Sequence, residues 1–288
     1  MPHDRTKAAR ELLAFYAEAG VDAPIGETPV DRFADAPNAN PKAAYAASVT
    51  LPPSPSLPLK GGGSTDAALP LSGGVSAAPA PPSPDAAIMA AREKARSAAS
   101  LEELRGMLDR FEGCALRATA TQLVFADGNP QARVMFVGEA PGRDEDIEGL
   151  PFVGRSGKLL DRMMAAIGLD RTGAYIANIV PWRPPGNRTP TPHESAICLP
   201  FLLRQIELAD PDVLVCLGGP SAQTLLGIKD GILKTRGRWF NFHTGTREIR
   251  AMATLHPAYL LRQPLQKRLA WRDFLAIKKA LAATSPRT

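Results

Sequence analysis

Four short segments of this chain place polar or flexible residues at the ends of runs that read as buried strands. Gly138-Glu139 follow RVMFV, Asn178 lies within AYIANIV, Gly218-Gly219 follow VLVCL, and His256-Pro257 follow AMATL. A carboxylate such as Glu139 can position or activate water or stabilise a cation, and the Asn178 amide can donate and accept at once. The His256 imidazole can donate to negative charge that develops during a reaction. Each segment alone reads equally as structure: a tight turn, an asparagine satisfying backbone groups, a hydrogen-bonded histidine at a helix start. Chemistry becomes the better reading because all four fall on one rim.

That rim follows from the order of the elements. Apolar or β-branched runs at 133–137, 174–180, 213–217 and 251–255 predict strands, and helical patterns lie between them. GKLLDRMMAAIGL puts Leu159, Leu160, Met163, Met164 and Ile167 at helical spacing. TPHESAICLPFLLRQIELA opens with Thr191 as cap, Pro192 in the first turn and Glu194 closing a capping box, and PSAQTLLG gives a shorter helix. Strands alternating with helices predict an α/β fold, a three-layer α/β/α sandwich with a mostly parallel central sheet. Ligands bind such sheets beyond the carboxyl ends of the strands, where the four segments fall.

The 288 residues allow one or two domains, and their 28 prolines are unevenly spread. Residues 1–20 read as an amphipathic helix with Asp4 as cap and Ala8, Leu12, Phe15 and Ala19 on one face. Residues 21–96 are dominated by Pro, Ala, Gly and Ser and predict a disordered linker, with charged helical sequence resuming at AAIMAAREKARSAAS. The folded domain is expected over 97–285, its first helix opened by a Ser100/Glu103 capping box. A net charge of +5 permits a polyanionic partner without requiring one. Three cysteines, no signal-like N-terminus and no apolar run long enough for a bilayer point to a cytoplasmic chain without a disulfide framework or a membrane partner.

The wording of these segments resembles the uracil-DNA glycosylase superfamily, and most closely its type 4 branch. GEAPGRDED with GLPFVGRSGKLLD is similar to the family's first motif and aromatic loop, NIVPWRPPGNRTPTPHE to its central Asn segment, and TLHPAYLLR to its carboxyl-terminal His motif. The resemblance spans about residues 110–283 and implies the same sandwich fold, removal of uracil from DNA and a role in base-excision repair. It makes Glu139 and His256 the catalytic candidates, and Gly138, Ala140, Phe152 and Asn178 the uracil pocket, with Phe152 as the stacking ring. Asp144, Glu145 and Asp146 remain second-tier acids, at least two of them read as a solvated acidic turn capping a helix. Arg183, Arg188, Arg236 and Arg262 are the expected phosphate contacts, and Tyr259, Leu260 or Leu261 the wedge that enters the duplex. Gly218 and Gly219 are candidates for presenting amides to a phosphate.

Type 4 members carry four cysteines that hold a four-iron four-sulfur cluster. Cys114 and Cys198 match two of those positions, but Arg117 and Trp182 stand at the other two. Two thiolates do not supply that ligation, so no cofactor is expected and Trp182 is expected to pack where the cluster would lie. The motifs favour a hydrolytic enzyme, since LKTRGRWFNF is not the Arg-rich insert of a sister branch that captures DNA covalently. The alternative is a slow or non-catalytic protein that binds uracil-containing DNA and protects or recruits. The N-terminal helix is a candidate site for a protein partner, and chemistry at one site needs only a monomer.

Overall fold

The structure is a computed structural model that describes residues 84–283. The proposed N-terminal helix at 1–20 and the linker as far as residue 83 lie outside the described residues. Six strands form one sheet: β1 (Asp127–Gly128), β2 (Val134–Gly138), β3 (Tyr175–Asn178), β4 (Val213–Leu217), β5 (Trp239–His243) and β6 (Glu248–Thr254), in the order β1-β3-β2-β4-β6-β5. The inner four are mutually parallel, and β1 and β5 close the edges antiparallel. Every residue of β2, β3 and β4 is buried, as a parallel sheet covered on both faces requires.

Side-chain alternation divides the core into two layers. Met135, Val137, Tyr175, Ala177 and Leu214 face one layer, completed by α1 (Pro84–Ser97), α2 (Leu101–Asp109) and α5 (Pro192–Ala209). Val134, Phe136, Ile176, Val213 and Val215 face the other, packed on α4 (Arg155–Ala165) and α9 (Lys267–Ala283) through Leu160, Met164, Phe274 and Ile277. Helix α5 begins as its sequence predicts: the Thr191 hydroxyl accepts from the Glu194 amide, and the Glu194 carboxylate accepts from the Thr191 amide at 2.7 Å. This is the three-layer sandwich expected from the alternation of elements. No helix among the described residues is long and apolar enough to cross a membrane.

Helix α1 packs against α5 and buries Ala87, Ala91 and Ala95, with Ala98 following, so residues 84–96, given to the linker in the sequence reading, pack onto the folded domain. A stripe of alanines four apart makes a close helix contact but carries little hydrophobic signal, so the stretch reads as helical without showing that it packs onto the domain. Strand β5 was also not predicted from the sequence, since WFNFH follows a cluster of basic residues and buries only Phe242 fully.

Candidate active site

Short elements complete the rim: α3 (Arg143–Glu148) after β2, α6 (Gly219–Leu226) after β4, α7 (Ile232–Thr235) before β5, and α8 (Pro257–Arg262) after β6. A cleft of about 620 Å³ opens over the carboxyl ends of the parallel strands, lined by Glu139, Ala140, Phe152, Asn178, His256 and Tyr259 among others. Gly138 and Asn178 are register partners across β2 and β3, which puts the amide beside the glycine's empty face. Phe152 occupies the neighbouring wall, with its ring centroid 5.6 Å from that of His256.

The turn and the aromatic loop are tied together by Glu145. Its carboxylate accepts from the Gly142 amide at 3.0 Å, from Val153 at 3.1 Å and from Gly154 at 3.0 Å. Asp146 accepts from the Thr121 amide and hydroxyl, both at 2.8 Å. Both acids are buried and only Asp144 of the three is exposed, so the solvated acidic turn expected from the sequence is corrected. The missed signal is Glu145 at the third helical position after Gly142, where a carboxylate reaches back to backbone amides.

His256 caps α8, and its Nδ1 accepts the Ala258 amide at 3.1 Å. In the neutral ring the proton is therefore on Nε2, the nitrogen left free to donate. Burial, together with the positive charge of Arg262, lowers its pKa to about 4, so the imidazole is neutral at physiological pH. Glu139 is shifted the opposite way: burial raises its carboxyl above the usual range, and its Oε1 is buried without a protein hydrogen-bond partner. A carboxylate held this way is a stronger base than one in water.

The sequence profile of the uracil DNA glycosylase superfamily matches residues 125–275, which include Glu139, Phe152, Asn178 and His256. The chain belongs to the uracil DNA glycosylase superfamily. It is 39% identical over 191 residues to the type-4 uracil-DNA glycosylase of Archaeoglobus fulgidus, covering 65% of this chain and 96% of that one. The enzyme of the same name from Thermotoga maritima is 46% identical over 163 residues, covering 56% of this chain and 83% of that one. That from Saccharolobus solfataricus is 38% identical over 189 residues, covering 64% and 88%.

Around this glycosylase cleft, not every expected DNA contact is available. Tyr259 and Arg262 line the cleft, and Arg262 is exposed. Arg188 also lines it but is already paired with Glu194 through two bonds of 2.8 and 2.6 Å, which lowers the Glu194 pKa to about 2. Arg183 donates to Asn187 Oδ1 at 2.7 Å, within its own loop. Arg236 has its guanidinium committed to buried Asp273, with Nε donating at 2.8 Å, and to the Leu269 carbonyl at 2.9 Å. Of the three wedge alternatives, Leu260 is fully buried against Leu255 and Ala270, while Tyr259 and Leu261 are half-buried. A wedge must be on the surface. Gly218 departs from expectation too: its amide donates to the Thr254 carbonyl at 2.8 Å, and at φ 95° its missing Cβ leaves room for His256, whose own Cβ would be 3.0 Å away.

The cluster of the type 4 branch can be tested against the residues that would hold it. Cys114 and Cys198 are buried with sulfurs 3.9 Å apart, and both thiols are free. At the other two positions, Trp182 is buried in the same core layer and Arg117 extends to donate to the Asp109 carbonyl at 2.7 Å. Cys198 donates to Cys114, which lowers the Cys114 pKa and raises that of Cys198. Among the described residues, no three His, Cys, Asp or Glu side chains converge as metal ligands. The donor set does not fit a four-thiolate cluster.

Proposed function

We propose that this chain hydrolyses the N-glycosidic bond of deoxyuridine in DNA, releasing uracil and leaving an abasic site. The observation that carries the reading is the neutral His256, whose Nδ1 is occupied by the Ala258 amide and whose Nε2–H is free to donate within a cleft shared with Asn178, Phe152 and Glu139. A flipped uracil stacks on Phe152 and is read by Asn178, whose amide accepts from N3–H and donates to O4. Cytosine reverses both groups and leaves the amide unpaired, which disfavours it.

As the C1′–N1 bond breaks, its electron pair leaves with uracil and charge collects on O2. The Nε2–H of His256 donates to that oxygen without giving up its proton, which lowers the barrier by about 3 to 4 kcal/mol in sites of this kind. Glu139 stabilises the cationic sugar, orients the water that adds to C1′ and takes up its proton, a role supported by its raised pKa. We further propose that the enzyme works without an iron-sulfur cluster, on the strength of the Cys114, Cys198, Trp182 and Arg117 arrangement. A broad visible absorption band with about four irons per chain after anaerobic purification would overturn that part.

The test is alkaline strand cleavage of a labelled oligonucleotide with one uracil, comparing wild type with Asn178→Ala and His256→Ala. Multiple-turnover cleavage lost in both variants is the expected result. Uracil-dependent binding by the wild type without cleavage would move the chain to the protecting or recruiting class.

A further inference from the structure

Phe152 has φ 56°, a left-handed conformation that a bulky aromatic residue rarely adopts. Such strain persists only where surroundings enforce it. On one side is Gly157, where a Cβ would come to 1.6 Å from the Phe152 carbonyl oxygen. On the other is Arg171, in the short turn that leads into β3. Its Nη1 donates to the Pro151 carbonyl at 3.1 Å and its Nη2 to the Phe152 carbonyl, so the guanidinium grips two consecutive carbonyls of the strained turn. Asp161 of α4, at 2.9 Å from Nε, and Asp127 of β1 hold the guanidinium from the other direction.

We infer that Arg171 is the positioning residue for the stacking face of Phe152, and so determines how tightly the pocket holds a planar base. Rotating the peptide that follows Phe152 would break the Arg171 bond and also the Val153 amide's bond to Glu145. Arg171 and Glu145 thus lock the two sides of one peptide group. A planar fork with five donors can serve two carbonyls and two carboxylates together, which the point charge of a lysine cannot. The inference rests on the reading of Phe152 as the surface on which uracil stacks.

The experiment measures inhibition by free uracil and the single-turnover rate on a uracil oligonucleotide, with melting temperature recorded for each protein. The set is wild type, Arg171→Ala, Arg171→Lys, Asp161→Asn, Phe152→Ala and the double variant Phe152→Ala/Arg171→Ala. Losing Arg171 is expected to weaken uracil inhibition and slow excision about tenfold, with lysine rescuing little, Asp161→Asn falling between, and the double variant no worse than Phe152→Ala. Arg171 effects that multiply with those of Phe152→Ala, or a lowered melting temperature with uracil inhibition unchanged, would overturn the inference. Should Arg171→Ala not fold, Arg171→Lys and Asp161→Asn carry the same comparison. A Phe152→Ala variant with normal uracil inhibition would remove the stacking assignment and the inference with it, whereas a wild type that excises nothing yet binds uracil would remove only the glycosylase reading.

Discussion

Gly138 and Asn178 are paired across β2 and β3 so closely that a Cβ on the glycine would lie 2.4 Å from Asn178 Oδ1 and 2.6 Å from Phe152 Cζ. One missing methyl group thus lets the Asn178 amide, proposed to read the base, and the Phe152 ring, proposed to stack on it, share a corner. Gly138→Ala is expected to displace one or both and to reduce excision about 100-fold, as sub-ångström to ångström misplacement does. Circular dichroism should stay that of the wild type. A variant with full activity would mean that the amide is not the reading group.

For His256 the expectation concerns protonation. A base whose folded pKa lies below its unfolded value near 6.5 leaves the unfolded chain binding more protons between that value and about 4, so stability from this residue falls as pH drops through that window. Nitrogen-detected NMR of the free protein should give a titration near pH 4 and the Nε2–H tautomer above it. Single-turnover excision should show no loss attributable to this group at pH 6.5. His256→Ala should slow the reaction about 100- to 1000-fold at neutral pH.

Glu139 predicts an exchange of stability against activity. Burial raises its carboxyl pKa, so at neutral pH the ionised group is destabilising in the folded protein. Glu139→Gln should therefore raise the melting temperature at pH 7 to 8, and the gain should shrink as pH falls through the carboxylate range. Excision should drop in the same variant. Urea melts at several pH values check the first part, and a variant less stable than wild type at pH 8 would contradict it.

Leu260 and Tyr259 are neighbours with different expected phenotypes. Leu260→Ala opens a cavity between Leu255 and Ala270 and should cost roughly 2 to 5 kcal/mol in denaturant unfolding. Tyr259→Ala, at the half-buried cleft wall, should cost about 1 kcal/mol or less and act instead on duplex substrate.

A salt titration separates two arginines. Arg262→Ala should weaken DNA binding and reduce the slope of log affinity against log salt by about one. Arg236→Ala should leave the slope unchanged and lower stability by roughly 3 to 5 kcal/mol, because it strands the buried Asp273 carboxylate. Equal slopes for Arg262→Ala and wild type would remove Arg262 from the interface.

The sequence placed Glu139, Asn178 and His256 on one rim because each follows or ends a strand whose period and order are readable, and a parallel sheet brings successive strand ends to one side; Phe152 joined them only through the resemblance of its loop to the family's aromatic loop. What it could not show is direction within short elements. Leu260 falls inward because His256 caps α8 and the fourth residue after the cap turns back to the core. Arg236 looks like any basic residue until the fold brings Asp273 to it from 37 positions away. The helical character of α1 was legible, but its packing onto the domain was not, because alanine packs through close approach and carries little hydrophobic bulk.

The order β3-β2-β4-β6 also acts as a ruler. Asn178 ends β3 and His256 follows β6, three strand spacings apart, or about 14 Å. Backbone hydrogen bonding sets that width, and no surface loop can change it. Side chains extending from its two ends, together with the Phe152 ring, set the breadth of the slot, so trimming those side chains is the direct way to admit a larger base.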